Sequence, residues 1–270
     1  MNEVLGSVGS YVEYAPPPEV RTWIEAVWVH VAPTRSGPGP STQHRVVADV
    51  APSLCFASTR DATGVPRASR LLLIGPVCTP RFYRPTSGAR MEAVRIRPEW
   101  SRTLLRADLR DHVDGIDDMR HINRLFGERL LDQLRATRTS TEAVDTLVGA
   151  LTSDIPRRRE TGAGLAHEAL WSLRSQDFGR PLRDLATDLG VSSRHLRRVV
   201  GRTAGSSPRR CRRVERFLRL VREADELAEP SWVDLAVGHG YADQAHLIRE
   251  SRAFSGVTPT VLHAERRNEV

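Results

Sequence analysis

The stretch DLATDLGVSSRHLRR (residues 184–198) returns fifty residues later as DLAVGHGYADQAHLIR (234–249), and this repeat decides the fold of the C-terminal part of the chain. Asp184, Leu185, Ala186 and Gly190 recur as Asp234, Leu235, Ala236 and Gly240, and GSSP at 205–208 returns as GVTP at 256–259. Each copy reads as a helix, a sharp turn with glycine, and a second helix, the spacing of a helix-turn-helix. Gly190 and Gly240 stand where the first helix must stop, because glycine takes a positive φ without steric penalty. Ser192 is placed to cap the second helix of the first unit. Its counterpart Ala242 is a poor cap, so either Asp243 caps in its stead or that helix start frays. Leu185, Ala186, Leu189, Val191, Leu196 and Val199 form the apolar contact of the first unit, which turns Arg194, Arg197 and Arg198 outward.

Working outward, SPRRCRRVERFLRLVREADELA joins the units as one long helix, with Val214, Phe217, Leu218, Val221 and Ala224 on a single face. Such a helix fixes their separation; at about 34 Å, both second helices would enter the major groove one turn apart. Helices are predicted at 165–174, 182–189, 193–203, 208–227, 232–237, 243–254 and 260–267. Upstream, DIPRRRETGAG (154–164) has no apolar period and reads as a linker. From Trp23 to Arg97 the pattern changes to short strands: TWIEAVWVHVA, HRVVADV, SLCFAST, RLLLIGPV, RFY and MEAVRIR, punctuated by Pro and Gly. Helical periodicity follows in Trp100, Leu104, Leu105 and Leu109, then Ile122 to Leu134, then Ala143 to Leu151. These apolar positions serve either as core against the sheet or as a dimer interface. The organisation expected is α+β: a β-rich, barrel-like domain over 1–155, a linker over 156–164, and an all-α tandem helix-turn-helix domain over 165–270.

Charge is the compositional signal. All 40 basic residues are arginine, the net charge is +7 and the pI near 10.2, which favours a polyanionic partner. From Arg194 to Arg222 eleven arginines face a single acidic residue, Glu215. That concentration suits phosphate contacts, the alternative being a solvated face, which the lack of nearby acidic residues disfavours. Cys55, Cys78 and Cys211 lie far apart in no ligand or disulfide spacing, and His30, His44, His112 and His121 lack the cluster a metal-binding barrel would use. No GxSxG, P-loop or GxGxxG run occurs, so no catalytic residue, metal or cofactor is assigned. Neither a signal peptide nor a membrane span is read, so a cytoplasmic protein is expected.

The tail, and GYADQAHLIRESRAFSGVTP (240–259) above all, resembles the DNA-binding domain of the AraC/XylS family of bacterial transcriptional regulators. The resemblance implies a sequence-specific regulator whose partner is double-stranded promoter DNA, with RNA polymerase, a second copy of the chain and a small-molecule effector as further partners. Carried over by position, Ser193, Arg194, Arg197, Arg198 and Arg202 belong to the first recognition helix and Gln244, His246, Arg249 and Arg252 to the second. Arg209, Arg210, Arg212 and Arg213 would anchor phosphates. Arginine suits bidentate contact to guanine and glutamine to adenine. His195 is read as a surface histidine as readily as a reader. Ser251 departs from the family pattern, standing where a buried aromatic is usual. By resemblance the β-rich half is a cupin-like sensor, in which Trp23, Trp28, Phe56 and Tyr83 either line a pocket or are ordinary core. Two other classes compete: a DNA-repair protein delivering a reactive cysteine, and a barrel enzyme with an accessory DNA-binding tail.

Overall fold

The computed structural model describes residues 3–6, 9–33, 43–61, 63, 65–84, 86–153, 163–174 and 180–268. The linker expected over 156–164 lies outside the described residues up to 162; its last two positions already belong to a helix.

The N-terminal half is an antiparallel sheet with helices on one face. Its strands are β1 (Glu3–Gly6), β2 (Gly9–Tyr14), β3 (Ile24–Val31), β5 (Ser53–Arg60), β6 (Pro66–Ile74), β8 (Ala89–Ile96) and β9 (Ile116–Asp118), in the order β1-β2-β3-β8-β5-β6-β9. A separate ribbon pairs β4 (His44–Val46) with β7 (Arg81–Tyr83). The sheet stays open, since the edge strands β1 and β9 do not meet, so the likeness to a barrel stops short of closure. The six segments read as strands are all strands; β1, β2 and β9 carried no alternation strong enough to read.

Register assigns the two faces. Val27, Val94, Leu54 and Leu73 share one cross-strand row, and Val29, Glu92, Phe56 and Leu71 the next but one. This face packs against α1 (Pro98–Leu105), the short α2 (Met119–Ile122), α3 (Arg124–Arg135) and α4 (Ser140–Thr152), through Leu104, Leu105, Met119, Leu130, Leu131, Leu134, Leu147 and Leu151. Those leucines are therefore core, not an interface between chains; Leu125, 81% exposed, is the exception. The intervening row, Trp28, Ala93, Cys55 and Leu72, forms a second cluster on the opposite face with Tyr11 and Met91.

The C-terminal half is helical: α5 (Ala163–Arg174), α6 (Leu182–Asp188), α7 (Ser193–Ala204), α8 (Pro208–Asp225), α9 (Trp232–Gly238), α10 (Gln244–Ser255) and α11 (Pro259–Asn268). Each lies within a few residues of its predicted span. The core of the first unit holds Leu170, Leu185, Leu196, Val200, Phe217 and Phe254, but also Ala48 and Val50, which follow β4. Between the halves, Arg174 of α5 is ringed by Glu25 at 2.9 Å, Glu215 at 3.2 Å and Glu99 at 3.4 Å. Burial alone would disfavour that guanidinium charge; the three carboxylates outweigh it and raise its pKa.

Candidate nucleic-acid interface

The two units are built alike and capped differently. In the first, Gly190 has φ +64° and the turn closes with Val191 N–H donating to Ala186 O at 2.9 Å. Ser192 caps α7, its hydroxyl accepting from His195 N–H at 3.1 Å. Leu196 and Val200 are buried, and Arg194, Arg197 and Arg198 are exposed on the opposite side, with Ser193 half-buried. Arg198 lies 3.3 Å from His195 Nδ1, so His195 supports a neighbouring arginine.

In the second unit Gly240 has φ +72° and Tyr241 N–H donates to Ala236 O at 2.9 Å. Asp243 is the cap, accepting from His246 N–H at 2.6 Å, which resolves the question left by Ala242. Gln244, Arg249 and Arg252 are exposed. His246 turns back instead: its Nδ1 accepts from Ala242 N–H at 3.4 Å and its ring meets Tyr241 edge-on at 5.2 Å. Tyr241 is buried, with the Arg216 guanidinium 4.1 Å above its ring, and burial pushes its phenol up to about 12. Ser251 is fully buried, its hydroxyl donating to Val257 O at 2.8 Å. The hydrogen bond satisfies that buried hydroxyl.

The connecting helix α8 corrects one sequence expectation. Its arginines do have acidic partners. Glu250, buried on α10, takes Arg213 at 2.5 Å and Arg216 at 3.5 Å, and buried Glu215 takes Arg219 at 3.2 Å and Arg222 at 3.4 Å. Arg210 donates to Cys78 O and Arg212 to Arg180 O. Arg202 of α7 faces Asp108 at 3.5 Å. Among the arginines assigned to phosphate anchoring, Arg209 is the exposed one, while Arg210, Arg212 and Arg213 are half-buried. Glu250 comes from 34 residues beyond Arg216, a distance at which no local pattern reveals a partner.

The four aromatics singled out in the N-terminal half do not converge. Trp23 and Phe56 belong to the helix-side core, Trp23 meeting Trp100 edge-on at 6.4 Å. Trp28 packs on the other face, where Tyr83 lies across from His30 at 6.2 Å. His30 was missed as a candidate in this group. It is 4% exposed, both ring nitrogens lack a hydrogen-bond partner, and His44 of the ribbon lies 4.9 Å away. Burial, then His44, pulls its pKa down to about 4. Among the described residues no group of three or more His, Cys, Asp or Glu is placed to hold a metal, and no helix is long and apolar enough to cross a membrane. Cys55 and Cys211 are buried with thiols held protonated, Cys211 pushed up to about 12 by burial, which suits neither to nucleophilic work.

The fold and these exposed helices define a tandem helix-turn-helix domain. Residues 185–265 match the family model described as a helix-turn-helix domain, and residues 12–116 match a domain of unknown function (DUF6597). The family model spans both units of the C-terminal domain, the part of the chain that resembles the AraC/XylS family. Invasion protein InvF of Salmonella typhi, like its counterpart in Salmonella typhimurium, is 33% identical over 94 residues, 33% of this chain and 41% of that protein. The chain thus spans less than half the length of these relatives. Among solved structures, ToxT from Vibrio cholerae O395 aligns with TM-score 0.45 and 9% identity over 88% of this chain and 96% of that one. ToxT bound to (E)-4-(8-methylnaphthalen-1-yl)but-3-enoic acid aligns with TM-score 0.47 and 10% identity over 88% and 97%.

Proposed function

We propose that the protein is a sequence-specific regulator of transcription that inserts α7 and α10 into successive major-groove faces of promoter DNA. The observation that carries this is the placement of Arg194, Arg197 and Arg198 on one helix and Gln244, Arg249 and Arg252 on its repeat, all exposed and none engaged by a carboxylate in the contacts described. Arginine and glutamine at the outer faces of capped helices suit bidentate contact with purine edges. Arg209 and Arg252 would hold phosphates. Arg210, Arg212 and Arg213 would do so only from their flanks, since each already serves a protein acceptor. His246 shapes the turn from which Gln244 projects.

Residues 1–155 act in this reading as the sensing half and 165–270 as the reading half. The sensing half would take a small effector between sheet and ribbon, where buried His30 offers two unpaired nitrogens. RNA polymerase and a second copy of the chain are further partners of this reading, and the cytoplasm its site of action. The test is selection from a random DNA library with the full chain at about 0.15 M salt. Two short motifs spaced by about 10 base pairs are expected; a library with no enrichment overturns the reading.

A further inference from the structure

The two recognition helices end in the same way, against the same partner. The last carbonyls of a helix have no acceptor role inside it. At the end of α7, Thr203 O accepts from Ser101 of α1 at 2.5 Å, and a Cβ at Gly205 would sit 2.8 Å from Leu109 O. At the end of α10, Phe254 O accepts from Ala48 N–H at 2.8 Å and Ser255 O from Arg45 Nη1 at 2.9 Å. A Cβ at Gly256 would stand 3.2 Å from that same Nη1. Arg45 also grips Glu265 of α11 with two hydrogen bonds, of 2.7 and 2.9 Å, and stacks over Phe82 at 4.8 Å. The N-terminal half therefore holds the C-terminal ends of both reading helices, which leaves the ends carrying Arg194 and Gln244 outward.

We infer that the N-terminal half is the platform that sets the spacing at which the two units meet DNA, and that Arg45 is the positioning residue for the second unit, acting through Ser255 O and Glu265. The inference rests on the reading that both units contact DNA. Helix α8 holds one side of α10 through Arg213 and Arg216 on Glu250, and holds α11 through Arg266 on Asp225 at 2.8 Å. Without Arg45 the opposite side of α10 keeps the Ala48 N–H bond to Phe254 O but loses the clamp that joins Ser255 O to Glu265 of α11, so the angle of the pair is set less tightly. Arg45 sits on the outer side of the β4–β7 ribbon, while its neighbour His44 packs inward against His30, so a shift of the ribbon reaches both.

The experiment uses the full chain: wild type, Arg45→Glu, Glu265→Arg and the double exchange, each selecting from libraries in which the distance between the two motifs is varied. Arg45→Glu is expected to bind the first motif within about two-fold of wild type, and to lose about ten-fold of preference for the best spacing, the range of an ordinary coupling between sites. The double exchange, which restores an ion pair of reversed sense, should recover most of that preference. Arg45→Leu, which adds no repulsion, guards against misfolding and should also flatten the spacing profile. An unchanged profile in both single Arg45 variants overturns the inference, as does a uniform loss on all spacings that the double exchange does not rescue. Tighter binding by Arg45→Glu at the original spacing also overturns it, since the contact would then be an inhibitory latch. A wild type that enriches one motif alone refutes the two-reader basis instead, and the assignment falls with it.

Discussion

Arg198 and His30 show how two side chains from distant parts of the chain bear on opposite ends of the function. Arg198 is exposed on α7 with His195 beside it. If it reads a base, Arg198→Ala costs on the order of 1 to 3 kcal/mol of binding and relaxes preference at one position, whereas a phosphate contact would weaken all sequences alike. Binding isotherms on single-base variants of the selected motif separate the two. His30 is neutral in the folded protein down to about pH 4, while in the unfolded chain it protonates near the ordinary imidazole value of 6.5. Between those values the unfolded state binds more protons, so stability is full above 6.5 and falls as pH drops toward 4, by at most about 3 kcal/mol. Urea melts at pH 7 and pH 5 should show that loss, and His30→Phe should reduce it.

At the scale of elements, the glycines that end helices separate backbone need from packing need. Gly190 and Gly205 have φ of +64° and +62°, yet a Cβ at Gly190 meets nothing within 4 Å while one at Gly205 collides with Leu109 O. Gly190→Ala should therefore cost only the left-handed backbone penalty, roughly 1 to 2 kcal/mol. Gly205→Ala adds overpacking of about 1 to 3 kcal/mol, because Leu109 and the end of α7 must part. Denaturant melts of the two variants give the comparison, and equal losses would refute the close approach. The repeat marks both glycines, at 190 and at the start of GSSP (205–208), but it does not show that Gly205 rather than Gly190 lies against another element.

For the whole molecule the decisive feature is that the halves share structure. Ala48 and Val50 complete the core of the first helix-turn-helix unit, and Arg174 neutralises Glu25 and Glu99 from the N-terminal half together with Glu215 from its own. Arg174→Leu leaves buried carboxylates without their cation, and a loss of about 3 to 5 kcal/mol is expected in thermal or urea melts. Residues 163–270 expressed alone should unfold at lower denaturant than the same segment in the full chain, since the surface covered by Ala48 and Val50 becomes exposed. A fragment as stable as the full chain would show that these contacts contribute nothing.

Local facts are legible along the chain: seven C-terminal helices, six of the strands, the turn glycines, the cap Ser192 and the outward arginines of α7. All of these follow from residue periodicity and short-range capping, which are written within a few neighbouring positions. Folding was needed to put Trp23 and Phe56 on the helix side of the sheet and Trp28 on the other, with Tyr83 of the ribbon across from His30 there, because the faces depend on register across paired strands. It also decided that Glu250 takes two arginines of α8, and that Arg45 reaches Glu265, 220 positions away. Charge pairing of that range is set by how the elements pack, and no periodicity along the chain encodes it.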